Sequence, residues 1–292
     1  MSDAINSIDT SALGSPGCAS YVYTQRSVEP FIRDPFDQFS ETRTGGAFTF
    51  TTGIGGFLQE FLYGYPGLRL AAAAVQLDPS LTSQIGGIVL RDLAWHGTRF
   101  TVAIKQAATT VSVQSGPALP VTVRGVTRTV APGATLTLAT GRPDLTPTAD
   151  LVRCQPATAS SAQPGADPLA AVDGSPATGW QPQQIAASLD VPLAHEAAIG
   201  GATIDWGQQW PGPPGPNMHP PAGPVLTLRA SSYDLVVSAN GRDWTVVASV
   251  TGRTSGTRDV LAFPPVRARY VGIRITAATF DTPPILEELT VP

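Results

Sequence analysis

The sequence is short of several things, and each shortage closes a possibility. Lysine occurs once, at Lys105, and 18 basic residues stand against 22 acidic ones, a net charge of −4. Residues 1–150 hold 10 basic and 11 acidic side chains, and residues 151–292 hold 8 and 11. A nucleic-acid backbone or an anionic membrane surface calls for a basic excess, so neither is an expected partner. No stretch reaches the ~18 consecutive apolar residues of a spanning helix. The amino-terminal MSDAINSIDTSALGSPGC has no basic n-region and no apolar h-region, so it is not a secretory signal as written. Only two cysteines are present, Cys18 and Cys154, and there are three histidines. With no CxxC pair they cannot build a structural zinc site. The expectation is two separate buried thiols, with one long-range disulfide as the alternative.

Glycine and proline are abundant instead, at 29 and 28 residues. That density interrupts long helices and suits short strands joined by turns. The 42% hydrophobic content is ordinary for a globular chain, and 292 residues at about 100–200 per domain predict two domains or three.

Periodicity sharpens this. Ile54, Phe57, Leu58, Phe61, Leu62 and Tyr65 fall at helical spacing with a broad apolar face. Gly55 and Gly56 sit near the start of that helix and Gly64 near its end. The stretch Pro30 to Gly46 before it is expected to be mostly loop. From Leu68 the period changes to two. Ile88 and Leu90, then Leu93 and Trp95, alternate in part; Phe100, Val102 and Ile104 alternate cleanly. Val111/Val113, Val121/Val123 and Leu136/Leu138 continue the pattern, with turn residues between them. Short strands at this spacing predict an antiparallel sandwich. GRPDLTPT (141–148) reads as a linker, and a second β run begins near Leu151. Its expected strands are Ala202–Trp206, Tyr233–Ser238, Trp244–Val250, Arg269–Thr276 and Ile285–Val291. The segment Pro211 to Pro224, with seven prolines in fourteen residues, is expected to be a stiff surface loop.

Two family resemblances lie in these residues. YTQRS, PFDQFSE, the Thr52–Gly56 turn and YGYPGLRL, within residues 18–145, resemble glycoside hydrolase family 65, and more narrowly its acid trehalase branch. The resemblance implies an (α/α)6 catalytic barrel and inverting hydrolysis of an α-glucoside disaccharide, trehalose or a related diglucoside. Inversion uses a protonated carboxyl on the leaving oxygen and a second carboxylate, about 6.5–9.5 Å away, to activate water. Glu41, in PFDQFSE, is the residue the resemblance assigns as general base. The family's general-acid Glu belongs to an upstream catalytic segment this sequence does not contain. Residues 1–67 have space for two or three helices, not for twelve. Glu60 matches no motif, and Asp37 and His96 read as turn residues. Thr51–Gly56 offers no His for a phosphate loop, which implies hydrolysis over phosphorolysis.

PATASS, AAVDGSPATGW, YDLVVSANGRDWTVV, ARYVGIRI and LEELTV, spread over residues 151–292, resemble the coagulation factor 5/8 type C (discoidin) domain as used in family 32 carbohydrate-binding modules. That resemblance implies a jelly-roll sandwich, a carbohydrate partner and one structural Ca²⁺ held by Asp173, Thr178 and Glu288, hard oxygens of the kind calcium prefers. Asp173 read without the family is an Asx-turn residue. Sugar recognition needs an aromatic face and converging polar groups; the candidates are Trp210, Asn217 and His219 in the proline-rich segment, and Arg258. Trp180, Trp206 and Trp244 are expected in the core.

The expected fold is therefore mainly β. Residues 1–67 form a short helical remnant of an (α/α)6 barrel, residues 68–145 a small antiparallel β-sandwich, 146–150 a linker, and 151–292 a discoidin-like jelly-roll. The family architecture points to an extracellular protein.

Overall fold

The computed structural model of the chain describes residues 2–209 and 224–292, in two compact units, Met1–Thr146 and Pro147–Pro292. The first unit opens with helices α1 (Ser2–Leu13), α2 (Ala19–Val28) and α3 (Thr51–Gln59). α3 runs on as one π-helical turn, Glu60–Gly64, so the predicted helix at Ile54–Tyr65 is present with its last turn widened. Helix α1 carries no clear apolar stripe; the residues it buries, Ala4, Ser7 and Ile8 among them, share one face but mix polarity. It lies close over the π turn. A Cβ on Gly64 would stand 3.3 Å from the Ile8 side chain, so a larger residue there would push α1 away. Between α2 and α3 the expected loop contains a small hairpin, β1 (Ile32–Arg33) with β2 (Gln38–Phe39).

Eight strands follow: β3 (Arg69–Leu70), β4 (Val75–Gln76), β5 (Gly87–Trp95), β6 (Thr98–Lys105), β7 (Thr109–Ser115), β8 (Leu119–Val123), β9 (Val126–Val130) and β10 (Thr135–Leu138). They make two four-stranded sheets in the orders β10-β7-β6-β5 and β3-β4-β8-β9. The first is antiparallel throughout. The second is not, because β4 and β8 run parallel; a parallel pair needs a crossover, and here strands β5 to β7 of the other sheet supply it. Phe100, Val102, Ile104, Val111, Leu119 and Val121 are fully buried between the sheets, as their alternation predicts. The partial alternation in β5 has a cause. The register to β6 shifts between Leu90 and Leu93, where Asp92 takes a positive φ of 57°, a bulge that flips the side chains beyond it. Tyr65 and Leu68 belong to the same core as these strands, with Phe61 and Leu62 packed against it. The helical segment and the sandwich therefore share one hydrophobic core.

The second unit contains β11 (Thr158–Ala159), β12 (Ala187–Trp206), β13 (Gln208–Gln209), β14 (Leu226–Thr227), β15 (Ala230–Ser238), β16 (Thr245–Val250), β17 (Arg258–Ala278) and β18 (Leu286–Thr290). All pairings are antiparallel, in the order β11-β12-β17-β15-β16, with β18 on β12 and a separate β13-β14 pair. The strands β12 and β17, of 20 and 21 residues, are far longer than the five to eight residues expected of each. Bulges at Pro192/Ala197 and Ile199/Gly201 bend the pair, so one half meets β15 and the other meets β18. Trp180, Leu189, Val191, Ile204, Trp206, Leu235 and Ile273 fill the enclosed core.

The cysteines correct the sequence reading. Neither is a free thiol: Cys18 and Cys154 are both disulfide-bonded, so the two separate buried thiols do not exist. Residue spacing could not show this, because disulfide geometry is set by Cα separation in space and not along the chain. Thiol titration in denaturant without reductant will find no free thiol, and two after reduction; any signal before reduction would refute the bond. Among the described residues no helix is long and apolar enough to cross a membrane.

Candidate functional site

Glu41 follows β2 at the mouth of a tight loop. Its backbone N–H donates to the Ala47 carbonyl (3.0 Å) and its Oε2 accepts from the Ala47 N–H (3.2 Å). The carboxylate is exposed. Gly46, at φ +87°, leaves it room: a Cβ there would stand 2.9 Å from Oε2. Asp37 has a positive φ of 50° and His96 one of 46°, and both are exposed, in keeping with turns.

Glu60, the other carboxylate of the helical segment, is fully buried. It accepts from the Thr24 hydroxyl and, at 2.6 Å, from Ser27 Oγ. Thr24 Oγ1 also lies 2.6 Å from Tyr65 Oη and 3.1 Å from Ser7 Oγ. This network knits α1, α2 and the π turn together. Burial pushes the Glu60 carboxyl up to about 7, against the pull of the Ser27 and Thr24 hydrogen bonds.

In the second unit the three proposed calcium ligands do converge. Asp173 is fully buried and Thr178 nearly so. Thr178 Oγ1 donates to Asp173 Oδ2 (2.7 Å), Ser175 N–H to Asp173 Oδ1 (2.9 Å), and Gly174 N–H to Glu288 Oε2 (3.3 Å). Burial, followed by the charges of Asp173 and Asp150, pushes Glu288 up to about 10. Two carboxylates facing each other in a buried setting form a donor set that a hard cation would suit. Among the described residues no group of three His, Cys, Asp or Glu side chains could hold a metal, so backbone carbonyls would have to complete a shell.

Of the sugar-binding candidates, Trp210, Asn217 and His219 lie outside the described residues. Arg258 is described, and its guanidinium is engaged: Nε and Nη2 lie 2.5 and 2.9 Å from the two oxygens of Asp205. Trp180 and Trp206 are fully buried, as expected. Trp244 is not in the core. It is half-buried, with the Arg274 guanidinium 4.6 Å above its ring and Tyr270 set edge-on at 6.4 Å; Arg274 also donates to Asp190 Oδ1 at 2.6 Å. It stands just before β16, beside the Asn240–Asp243 turn.

The polar centre that sequence reading missed is Asp259. It is fully buried, and its Oδ2 accepts from Trp206 Nε1 (2.8 Å), Tyr233 Oη (2.8 Å) and Arg229 Nη2 (2.6 Å). Arg229 is buried too, and donates to the carbonyls of Ser255 and Gly256. Burial would raise the Asp259 carboxyl, but those three hydrogen bonds outweigh it and hold it below the usual range. The one available signal was Asp259 alternating with apolar Val260 in a strand, which many solvent-facing carboxylates share.

Comparison with known proteins adds the decisive observations. Residues 68–130 match the model of the glycosyl hydrolase family 65 C-terminal domain, and residues 170–273 that of an F5/8 type C domain described as NedA-like and galactose-binding. The chain carries a family 65 C-terminal domain followed by an F5/8 type C domain. Cell wall acid trehalase of Arthroderma benhamiae is 34% identical over 251 residues, covering 72% of this chain and 23% of the relative. Acid trehalase of Emericella nidulans is 29% identical over 278 residues, covering 82% and 26%. The chain thus spans about a quarter of the length of these relatives. Among solved structures, chitosan-binding module 1 of a Paenibacillus chitosanase/glucanase is 24% identical with a TM-score of 0.41, covering 50% of this chain and 99% of the module. The F5/8 type C match encloses Asp173, Thr178, Asp259 and Arg229; the family 65 match begins just after the buried Glu60 network.

Proposed function

We propose that the chain is the carboxy-terminal portion of an inverting hydrolase of an α-linked diglucoside, trehalose or a close relative, joined to a glycan-binding F5/8 type C module. The observation that carries this is the similarity to cell wall acid trehalase, 34% identical over 251 residues and covering 72% of this chain. In this reading the exposed Glu41 is the general base that activates water, and its protonated partner is supplied by an upstream catalytic segment. Glu60 is not that partner, since its oxygens are committed to buried hydroxyls. The module supplies carbohydrate binding through Trp210, Asn217, His219 and Arg258, the last at the start of β17. An extracellular location is supported by the cell-wall relative and by the disulfide state of both cysteines, which persists in oxidising compartments.

Blotting source-cell and medium extracts with an antibody to residues 151–292 tests the reading. A secreted band far above 30.3 kDa is expected, and in that protein Glu41→Gln should abolish glucose release while leaving sugar binding intact. A band at 30.3 kDa that binds sugars without turnover would overturn the hydrolase and leave the alternative, a carbohydrate-binding protein alone.

The module would hold one structural calcium through Asp173, Thr178 and Glu288. Bound there, it would favour the ionised form of Glu288 beside Asp173 and tie the Asp173 loop to β18. Chelator should therefore lower the melting temperature of the second unit by several degrees, and Glu288→Gln should remove that response. An unchanged melt would dismiss the calcium.

A further inference from the structure

The two sheets of the first unit do not close on each other at one side. Strands β9 and β10 are both edge strands, each paired on one side only, to β8 and β7. In the register of the β8–β9 pair, Arg128 opposes Val121 and Val126 opposes Val123. Arg128 and Val126 therefore stand on the face that carries the buried Val121, because opposed residues share a face. Yet Val126 is 59% exposed and Arg128 is exposed as well. The four residues of β10 do not cover them. What remains is a groove of about 210 Å³, floored by Val121, Val123, Leu136 and Leu138 and flanked by Arg124 and Arg128.

Three features narrow the occupant. The groove is smaller than the roughly 300–1,000 Å³ of usual small-ligand pockets, so it suits one or two side chains. It is bordered by two strand edges with free backbone hydrogen-bonding groups, which an extended segment can pair with. Its charge is of one sign: Arg128 has no hydrogen bond or ion pair among the described residues, and Arg124 reaches Asp78 only at 3.5 Å, with both side chains mostly exposed. We infer that this groove receives an extended peptide segment of a partner protein, which adds a strand at the β9–β10 opening, sets an apolar side chain on Val123, Val126 and Leu136, and places a carboxylate against Arg128.

Fluorescence anisotropy of the full chain with two labelled synthetic heptapeptides tests this. One has the sequence Thr-Leu-Thr-Glu-Thr-Leu-Thr, and the other carries Lys at the central position. Saturable binding of the Glu peptide is expected, about tenfold or more tighter than the Lys peptide, which corresponds to roughly one charge-pair contact. Raised salt should weaken it, and Arg128→Glu should reverse the preference without changing the melting temperature. Equal binding of both peptides would overturn the inference, as would binding indifferent to Arg128→Glu. So would a parent chain that ignores both peptides while Arg128→Val self-associates, since Arg128 would then only guard an edge. A parent chain already dimeric through this edge would make a second copy the occupant, and would also overturn it.

Discussion

Asp259→Ala will leave the second unit largely unfolded at room temperature. Removing the carboxylate strands a fully buried Arg229 charge, and breaking one side of a buried pair typically costs about 3–5 kcal/mol. Trp206 Nε1 and Tyr233 Oη lose their acceptor as well, each adding about 1–3 kcal/mol when left unsatisfied. Set against the roughly 5–15 kcal/mol that holds a domain folded, that is most of the margin. Urea denaturation followed by the fluorescence of buried Trp180 and Trp206 measures it. Asp259→Asn, which keeps an acceptor but not the charge, should fall between the two, and a loss below about 1 kcal/mol in the Ala variant would contradict the role given to the cluster. The sign with pH also follows. Because the folded carboxyl is held below its usual range, its contribution is present above the unfolded value of 3.8 and is lost as acid protonates it in the folded state.

The first unit should respond to pH in the opposite sense. Glu60 has a folded value of about 7 against an ordinary 4.5, so the native state binds more protons across that interval. Stability is therefore complete below pH 4.5 and declines as pH rises through about 7, by about 3 kcal/mol in all. The charged groups nearby do not cancel this. Asp3 opposes ionisation of Glu60, and Arg26 and Arg43 are paired with Asp3. Glu60→Gln, which retains an acceptor for Ser27 and removes the charge, should flatten the profile. Between pH 5 and pH 8 the wild-type melting temperature of this unit should drop on the order of 10 °C more than that of the variant. Parallel profiles would show that Glu60 is not the titrating group.

How much of this was legible in the residues depends on the kind of interaction. Alternating runs such as Phe100-Val102-Ile104 report directly on one buried face, and the structure seats them there. The helix at Ile54–Tyr65 was equally plain, since six aromatic or branched residues recur at its spacing. The strand lengths in the second unit were not legible. The strands β12 and β17 pass from one part of the sheet to another through bulges at Pro192 and Gly201, and there the alternation breaks and reads as an end. Helix α1 was missed because its buried face includes Ser7, which is satisfied by a hydroxyl on α2 that no local pattern can announce. The calcium candidates were named from a family motif, and the fold brings Asp173, Thr178 and Glu288 together from 115 positions of chain. Asp259 and Glu60 were beyond reach for one reason: a buried carboxylate is distinguished by partners distant in sequence, Trp206 and Arg229 for one, Thr24 and Ser27 for the other.

The way the second unit fastens its own ends bears on how it is made. Leu151 N–H donates to the Val291 carbonyl, and Val291 N–H donates back to Asp150 Oδ1. The bridge between Trp180 and Leu286 and the pairing of β18 with β12 belong to the same closure. None of these contacts can form until residues 286–291 have left the ribosome exit tunnel. The first unit, whose contacts are complete by Thr146, can fold while synthesis continues. The second stays open, with β12 and β17 lacking part of their cover, until residues 286–291 have emerged. Nascent chains stalled before Leu286 should thus yield a protease-resistant first unit and a digestible second one, and chains extended until residues 286–291 clear the tunnel should convert the second to resistance.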